Sequence, residues 1–180
     1  VVVLALLVLV TSVAFYALNQ TQATYNRFLN VDERLLEAAN ELRSVTFAQQ
    51  TYVRGMLLYP ELHQVNQGLL EANDRQFKLI FERMRGLTDT AQNDLLDDLE
   101  TLQQQLEQAQ QQAVRLALEK KTEEAIAYTI KEFRPRSIAL IEKAKRFYEQ
   151  QAKLLEKGRI ELAEKVNSYT LTLIIAALFA

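Results

Sequence analysis

Arg43, Phe47, Gln50 and Arg54 share one face of a helix drawn through ELRSVTFAQQTYVRGMLLYP, residues 41–60. A guanidinium can grip a carboxylate with two parallel hydrogen bonds, so the chemistry open to this stripe is anion binding. Catalysis finds no comparable residues. The chain has no cysteine and one histidine, His63, which excludes thiolate sites and His-pair metal sites. It has no Gly-rich phosphate loop. Neighbouring acids such as Asp97 and Asp98 read as solvated helix surface, and His63 as an exposed residue beside a loop. No enzyme activity, cofactor or metal is expected. A net charge of -2 gives no reason to expect nucleic acid as a partner.

The elements that must carry the stripe are helices. With 4 glycines and 2 prolines among 180 residues, little interrupts helix formation. Phe28, Val31, Leu35, Ala38, Leu42, Val45, Gln49, Tyr52 and Met56 alternate spacings of three and four, which is a coiled-coil seam. Tyr59-Pro60-Glu61 should end this first helix. A second, about Glu61 to Arg85, has Leu62, Val65, Leu69, Phe77, Ile80 and Met84 as its apolar residues. A third, about Asp89 to Lys120, carries the seam Leu95, Leu99, Leu102, Leu106, Ala109, Ala113 and Leu116. Its glutamine runs, 103–105 and 110–112, read as a solvated face. A fourth starts at Thr122, and Pro135 should kink or split it.

Short connections between four helices give an up-down-up-down bundle. The arginine stripe lies opposite the first helix's seam, together with Leu29, Leu36, Phe47 and Leu57. Leaving these apolar side chains in water costs roughly 25 cal/mol per Å². A two-fold contact with a second copy would bury them. It would also bring two Arg54 side chains together, and an anion between them would relieve their repulsion. The expectation is a homodimer whose seam is lined by these four residues and holds an anion.

The ends suggest a membrane. VVVLALLVLVTSVAFYAL, residues 1–18, is uncharged and long enough to cross a core of about 30 Å at 1.5 Å per residue. VNSYTLTLIIAALFA, residues 166–180, is uncharged and shorter. The expected organisation is a truncated first transmembrane helix at 1–18, an extracytoplasmic domain at 19–165 and the start of a second transmembrane helix at 166–180. A cleaved signal peptide is the rival for the first segment, and a second apolar segment speaks against it. The fold class expected is all-α: an antiparallel up-down-up-down four-helix bundle flanked by two transmembrane helices.

That arrangement resembles the ligand-binding input module of methyl-accepting chemotaxis proteins. The resemblance covers the whole chain. It is carried by ELRSVTFAQQTYVRGMLLYP, by KKTEEAIAYTIKEFRPRSIALIEKA and by the run from YEQQAKLLEKG into the second apolar segment. It implies a homodimeric sensor in the bacterial inner (cytoplasmic) membrane, with its bundle in the periplasm or outside the cell. In the aspartate-receptor branch, arginines of the first helix and residues near the start of the fourth hold the ligand. Arg54, in VRGML, matches one such arginine. The position three or four residues before it is Gln50 or Gln49 instead of Arg, and Arg43 is roughly in place for another. Tyr128, Thr129, Lys131 and Arg134 occupy the comparable zone of the fourth helix. VRGMLLYPE also resembles the Arg-Gly segment of CHASE-type sensor domains. The partner implied is a small molecule, carboxylates included, or a periplasmic binding protein. Ligand would shift the fourth helix relative to the first, and the second membrane helix would carry the shift inward. The alternatives are the input domain of a sensor histidine kinase or cyclase, and a membrane-anchored coiled-coil tether that senses nothing.

Overall fold

The computed structural model describes residues 11–178 apart from 13, 17, 24, 26–30 and 89, with the backbone alone at 90–92, 173 and 175–178. The described chain is helical, with no strand among the described residues. The elements are α1 (Glu33–Leu58), a 3-10 turn (Pro60–Leu62), α2 (His63–Leu87), α3 (Thr90–Leu118), α4 (Thr122–Tyr128), a π-helical segment (Thr129–Phe133) and α5 (Arg134–Leu178). Cα packing separates a unit Leu35–Gln150 from a second unit formed by Val1–Arg34 and Gln151–Ala180.

Local chemistry sets the breaks. Pro60 has no N–H and disfavours helix in the residue before it, and Tyr59 leaves the helical region at φ -131, ψ 81. His63 Nε2 donates to the Met56 carbonyl at 2.7 Å, one of the last carbonyls of α1. His63 is therefore half-buried against the end of α1, not an exposed loop residue. α3 ends in a Schellman motif: Lys121 N donates to Leu116 O at 3.0 Å and Lys120 N to Ala117 O at 3.1 Å. Lys120 takes the left-handed position usually given to glycine, with φ 60.

Within Leu35–Gln150, contacts between helices pair early residues of one with late residues of the next. Arg83 of α2 pairs with Glu41 of α1, and Asn73 Nδ2 donates to Val45 O at 2.9 Å. Arg85 of α2 holds Asp97 and Glu100 of α3, each at 2.6 Å. Lys143 of α5 reaches Asp98 of α3 at 2.5 Å. Successive helices of this bundle-like unit thus run antiparallel.

The buried seams differ from the expected ones at particular positions. On α1, Leu35, Leu42, Gln49 and Met56 recur every seventh residue and are buried, as expected, with Ala38 and Val45 beside them. Val53 is buried too, while Tyr52 is only half-buried. On α2 the seam is Asn66, Leu70, Asn73, Phe77, Ile80 and Met84. Leu62, Val65 and Leu69, expected inside, are exposed. On α3, Leu96 is buried and Leu95 half-buried, and Gln103 and Gln110 lie in the core and not on a solvated face. A bundle helix packs against more than one neighbour, so its buried stripe is wider than a strict two-position seam and takes in these glutamines.

Gln49 and Gln110 meet polar partners, whereas Gln103 Oε1 is buried without one. Gln49 Nε2 donates to Gln110 Oε1 at 2.5 Å, and Gln110 Nε2 donates to Asp74 Oδ2 at 3.1 Å. This layer ties α1, α2 and α3 together at one level. A buried amide without such partners would cost about 1–3 kcal/mol.

Among the described residues no helix is long and apolar enough to cross a membrane. The expected first membrane segment, 1–18, lies largely outside the described residues. The second is helical from Val166 to Leu178, but Glu161, Glu164 and Lys165 stand directly before it. The described uncharged run is therefore shorter than the ~20 residues a bilayer requires.

Candidate functional site

A groove of about 370 Å³ opens between α1 and the segment where α4 passes into α5. Gln50, Arg54, Leu57 and Leu58 form the α1 wall. Ile126, Thr129, Ile130, Phe133 and Arg134 form the other. Helical spacing builds both walls: positions 50, 54 and 57, and 126, 130 and 133, each share a face.

The π-helical segment shapes the second wall. Pro135 cannot donate a backbone hydrogen bond, and in a regular helix its ring would meet the carbonyl four residues earlier. Arg134 N closes instead onto Thr129 O, a five-residue step. The wider turn accommodates the proline without ending the helix. The irregularity expected at Pro135 sits one turn before it, in the π-helical segment that divides α4 from α5. Thr129 Oγ1 is buried with no hydrogen-bond partner. The two walls are tied together by Gln50 Nε2, which donates to the buried Ser137 Oγ at 2.5 Å.

The groove combines an apolar surface with two free cations. Arg136, one turn away, is paired with Glu132 at 2.6 Å, and Arg83 and Arg85 are paired as well. Arg54 and Arg134 are exposed and have no ion pair among the described residues. Two guanidinium groups on one apolar-lined groove suit an anion with an apolar body.

Four of the six candidate ligand residues thus meet here: Gln50, Arg54, Thr129 and Arg134. Arg43 and Tyr128 do not line this groove. Arg43 is about 16 Å from Arg54 along the helix by rise alone. Its guanidinium lies over the Tyr148 ring of α5, 6.0 Å from the centroid. Tyr128 packs on the cluster of Leu116, Ala117 and Ala125. It sits three residues after the buried Ala125, on the face that looks toward α3, and that spacing marks it as a packing residue. Sequence reasoning missed Ile126, Ile130 and Phe133, whose i, i+4, i+7 spacing was the available signal.

The residues expected at a dimer seam divide. Leu29 lies outside the described residues. Leu57 packs on the Leu116, Ala117 and Ala125 cluster of its own chain, and Leu36 is half-buried. Phe47 is 49% exposed. Part of the second stripe of α1 is therefore met within the chain: α5 lies beside Arg43 and Gln50, and the ends of α3 and α4 lie beside Leu57.

No protein-family model matches the chain, nor does any curated protein or any solved structure.

Proposed function

We propose that the chain is the extracytoplasmic sensory input module of a transmembrane receptor of the chemotaxis type. In this reading Leu35–Gln150 is the body of an antiparallel up-down-up-down four-helix bundle, held by membrane helices at both ends of the chain in the bacterial inner membrane. The ligand is a small carboxylate, and the groove between α1 and the π-helical segment is its site. The observation that carries the reading is the pair Arg54 and Arg134, unpaired on one apolar-lined groove beside a buried, unpartnered Thr129 hydroxyl. A homodimer accounts for the exposed Phe47 on α1. The membrane reading draws support from Phe15, Leu18, Leu171 and Ile174, all more than half exposed to solvent.

The signalling step follows from helix continuity. Arg134, a groove residue, is the first residue of α5, which is one helix to Leu178. A ligand bridging Arg54 and Arg134 biases the position of α5 relative to α1 only through its differential affinity for the two arrangements.

The test is a melting series of the chain with a panel of aliphatic and aromatic carboxylates. At least one should raise the melting temperature, and Arg54→Ala and Arg134→Ala should each abolish that rise. A rise of parental size in both variants removes the groove as the site. A panel without effect leaves the tether reading as the better one.

A further inference from the structure

The arginine groove is polarised along its length. Arg43 meets Tyr148 and Gln50 meets Ser137, so α1 and α5 run antiparallel. From the Gln50–Ser137 contact, helical register brings Arg54 level with Phe133 and Arg134. It brings Leu57 and Leu58 level with Thr129 and Ile130, and Ile126 lies one turn further on. The two guanidinium groups therefore share one end of the groove, beside the Gln50–Ser137 bond, and apolar side chains line the other. From Arg54 to Leu58 is about 6 Å by helix rise, the span of a phenyl ring or a short alkyl chain.

Two features narrow what fits. Leu58 and Ile130 are more than half exposed and Ile126 is exposed too, so apolar side chains on both walls stay in water until an apolar body covers them. No carboxylate lines the groove among the described residues. Glu132, on the same segment, is held by Arg136 at 2.6 Å. An ammonium group brought in here would meet two guanidinium charges and no anion. One carboxylate, by contrast, has about four acceptor sites and can take both arginines.

We propose that the ligand of this groove is a monocarboxylate with an apolar body and no amino group, an arylalkanoate or a short alkanoate. Its carboxylate sits between Arg54 and Arg134, and its body runs toward Leu58, Ile130 and Ile126. The groove rejects α-amino acids, whose ammonium group stands beside the carboxylate and so next to both arginines. It disfavours dicarboxylates, whose second charge would be pressed against the apolar end without a partner. The proposal rests on reading the groove as the ligand site and adds what that site selects.

Titration calorimetry of the full chain in non-ionic detergent tests it with hydrocinnamate and three relatives. Phenylalanine is hydrocinnamate with an ammonium group added, hydrocinnamide lacks the charge, and succinate replaces the apolar body with a second carboxylate. Hydrocinnamate should bind one per chain, and each of the others about tenfold more weakly or worse, the value of one charged hydrogen bond. Ile130→Ser, at an exposed position, should weaken hydrocinnamate, and Leu79→Ser, exposed on α2 and outside the groove, should not. If phenylalanine or succinate binds as tightly as hydrocinnamate or in its place, and Arg54→Ala and Arg134→Ala abolish that binding, the carboxylate site stands and the proposed class is wrong. The class is overturned as well if Ile130→Ser binds hydrocinnamate like the parent, or if Leu79→Ser weakens it as much as Ile130→Ser does. If none of the four binds, or both arginine variants bind hydrocinnamate like the parent, the groove falls as the site and the class falls with it.

Discussion

Gly55 of α1 lies so close to Asn66 of α2 that a methyl group on it would stand 2.7 Å from Asn66 Nδ2 and 2.8 Å from Oδ1. Asn66 is only 9% exposed, so its short side chain has little room to swing aside. In an exposed helix, glycine to alanine gains up to about 1 kcal/mol. Here overpacking costs about 1–3 kcal/mol. Gly55→Ala should therefore be destabilised by about 1 kcal/mol net, measured by urea unfolding. Adding Asn66→Ala should restore the loss, and a double-mutant cycle would give the coupling. A single variant as stable as the parent would mean that α2 can retreat from α1.

Asp74 makes stability depend on pH in an unusual direction for a carboxylate. Its folded pKa is raised above the ordinary aspartate value, by burial first and Glu107 second. Between the unfolded and the raised folded value, the folded chain holds a proton that the unfolded chain has released. Stability from this group is therefore full below the unfolded pKa and falls as pH rises through the folded one. Asp74→Asn should flatten that fall. Urea midpoints of parent and variant from acidic to neutral pH would check it, and an unchanged difference would sink the idea.

Lys120 holds a strained place at the end of α3. A side chain in the left-handed region costs roughly 1–2 kcal/mol, and glycine avoids that cost. Lys120→Gly should raise stability by about 1 kcal/mol, read as a higher urea midpoint at unchanged slope. A loss would point to a role for the lysine side chain at the tip.

Pro135 and the π-helical turn form one device. Pro135→Ala restores a backbone donor and removes the reason for the wider turn, so the segment should relax toward a regular α-helix. Melting temperature should rise only slightly, since the π turn already accommodates the proline and removes most of the cost a helix-interior proline carries. The groove wall formed by Thr129, Ile130 and Phe133 should change with it, and any carboxylate-induced rise in melting temperature should shrink. A variant that melts higher and keeps the full ligand response would separate the π turn from the site.

Much of α1 is legible from residue spacing alone, because its seam is a strictly local pattern and Leu35, Leu42, Gln49 and Met56 follow it. On α2 the same rule misleads. Extending the spacing back from Phe77 leads to Asn73, Leu70 and Asn66, and two asparagines look wrong for a core next to Leu62, Val65 and Leu69. Asn73 is inside because Val45 O accepts from it. Asn66 fits because Gly55 has no side chain opposite. Of the candidate site, Gln50 and Arg54 can be found from their shared face on α1. Arg43 has the same face and lies over Tyr148, a neighbour that no spacing on α1 could reveal.

The sequence by itself determined the helical state, the stop at Pro60 and the core face of α1, since propensity, proline sterics and period act over a few residues. Only the tertiary structure decided which polar residues belong inside and which arginines stay free. Those outcomes depend on partners far along the chain: Gln49 finds Gln110 at a separation of 61 residues, and Gln50 finds Ser137 at 87. A buried amide is a cost when alone and is satisfied when paired, and only packing brings the pair together.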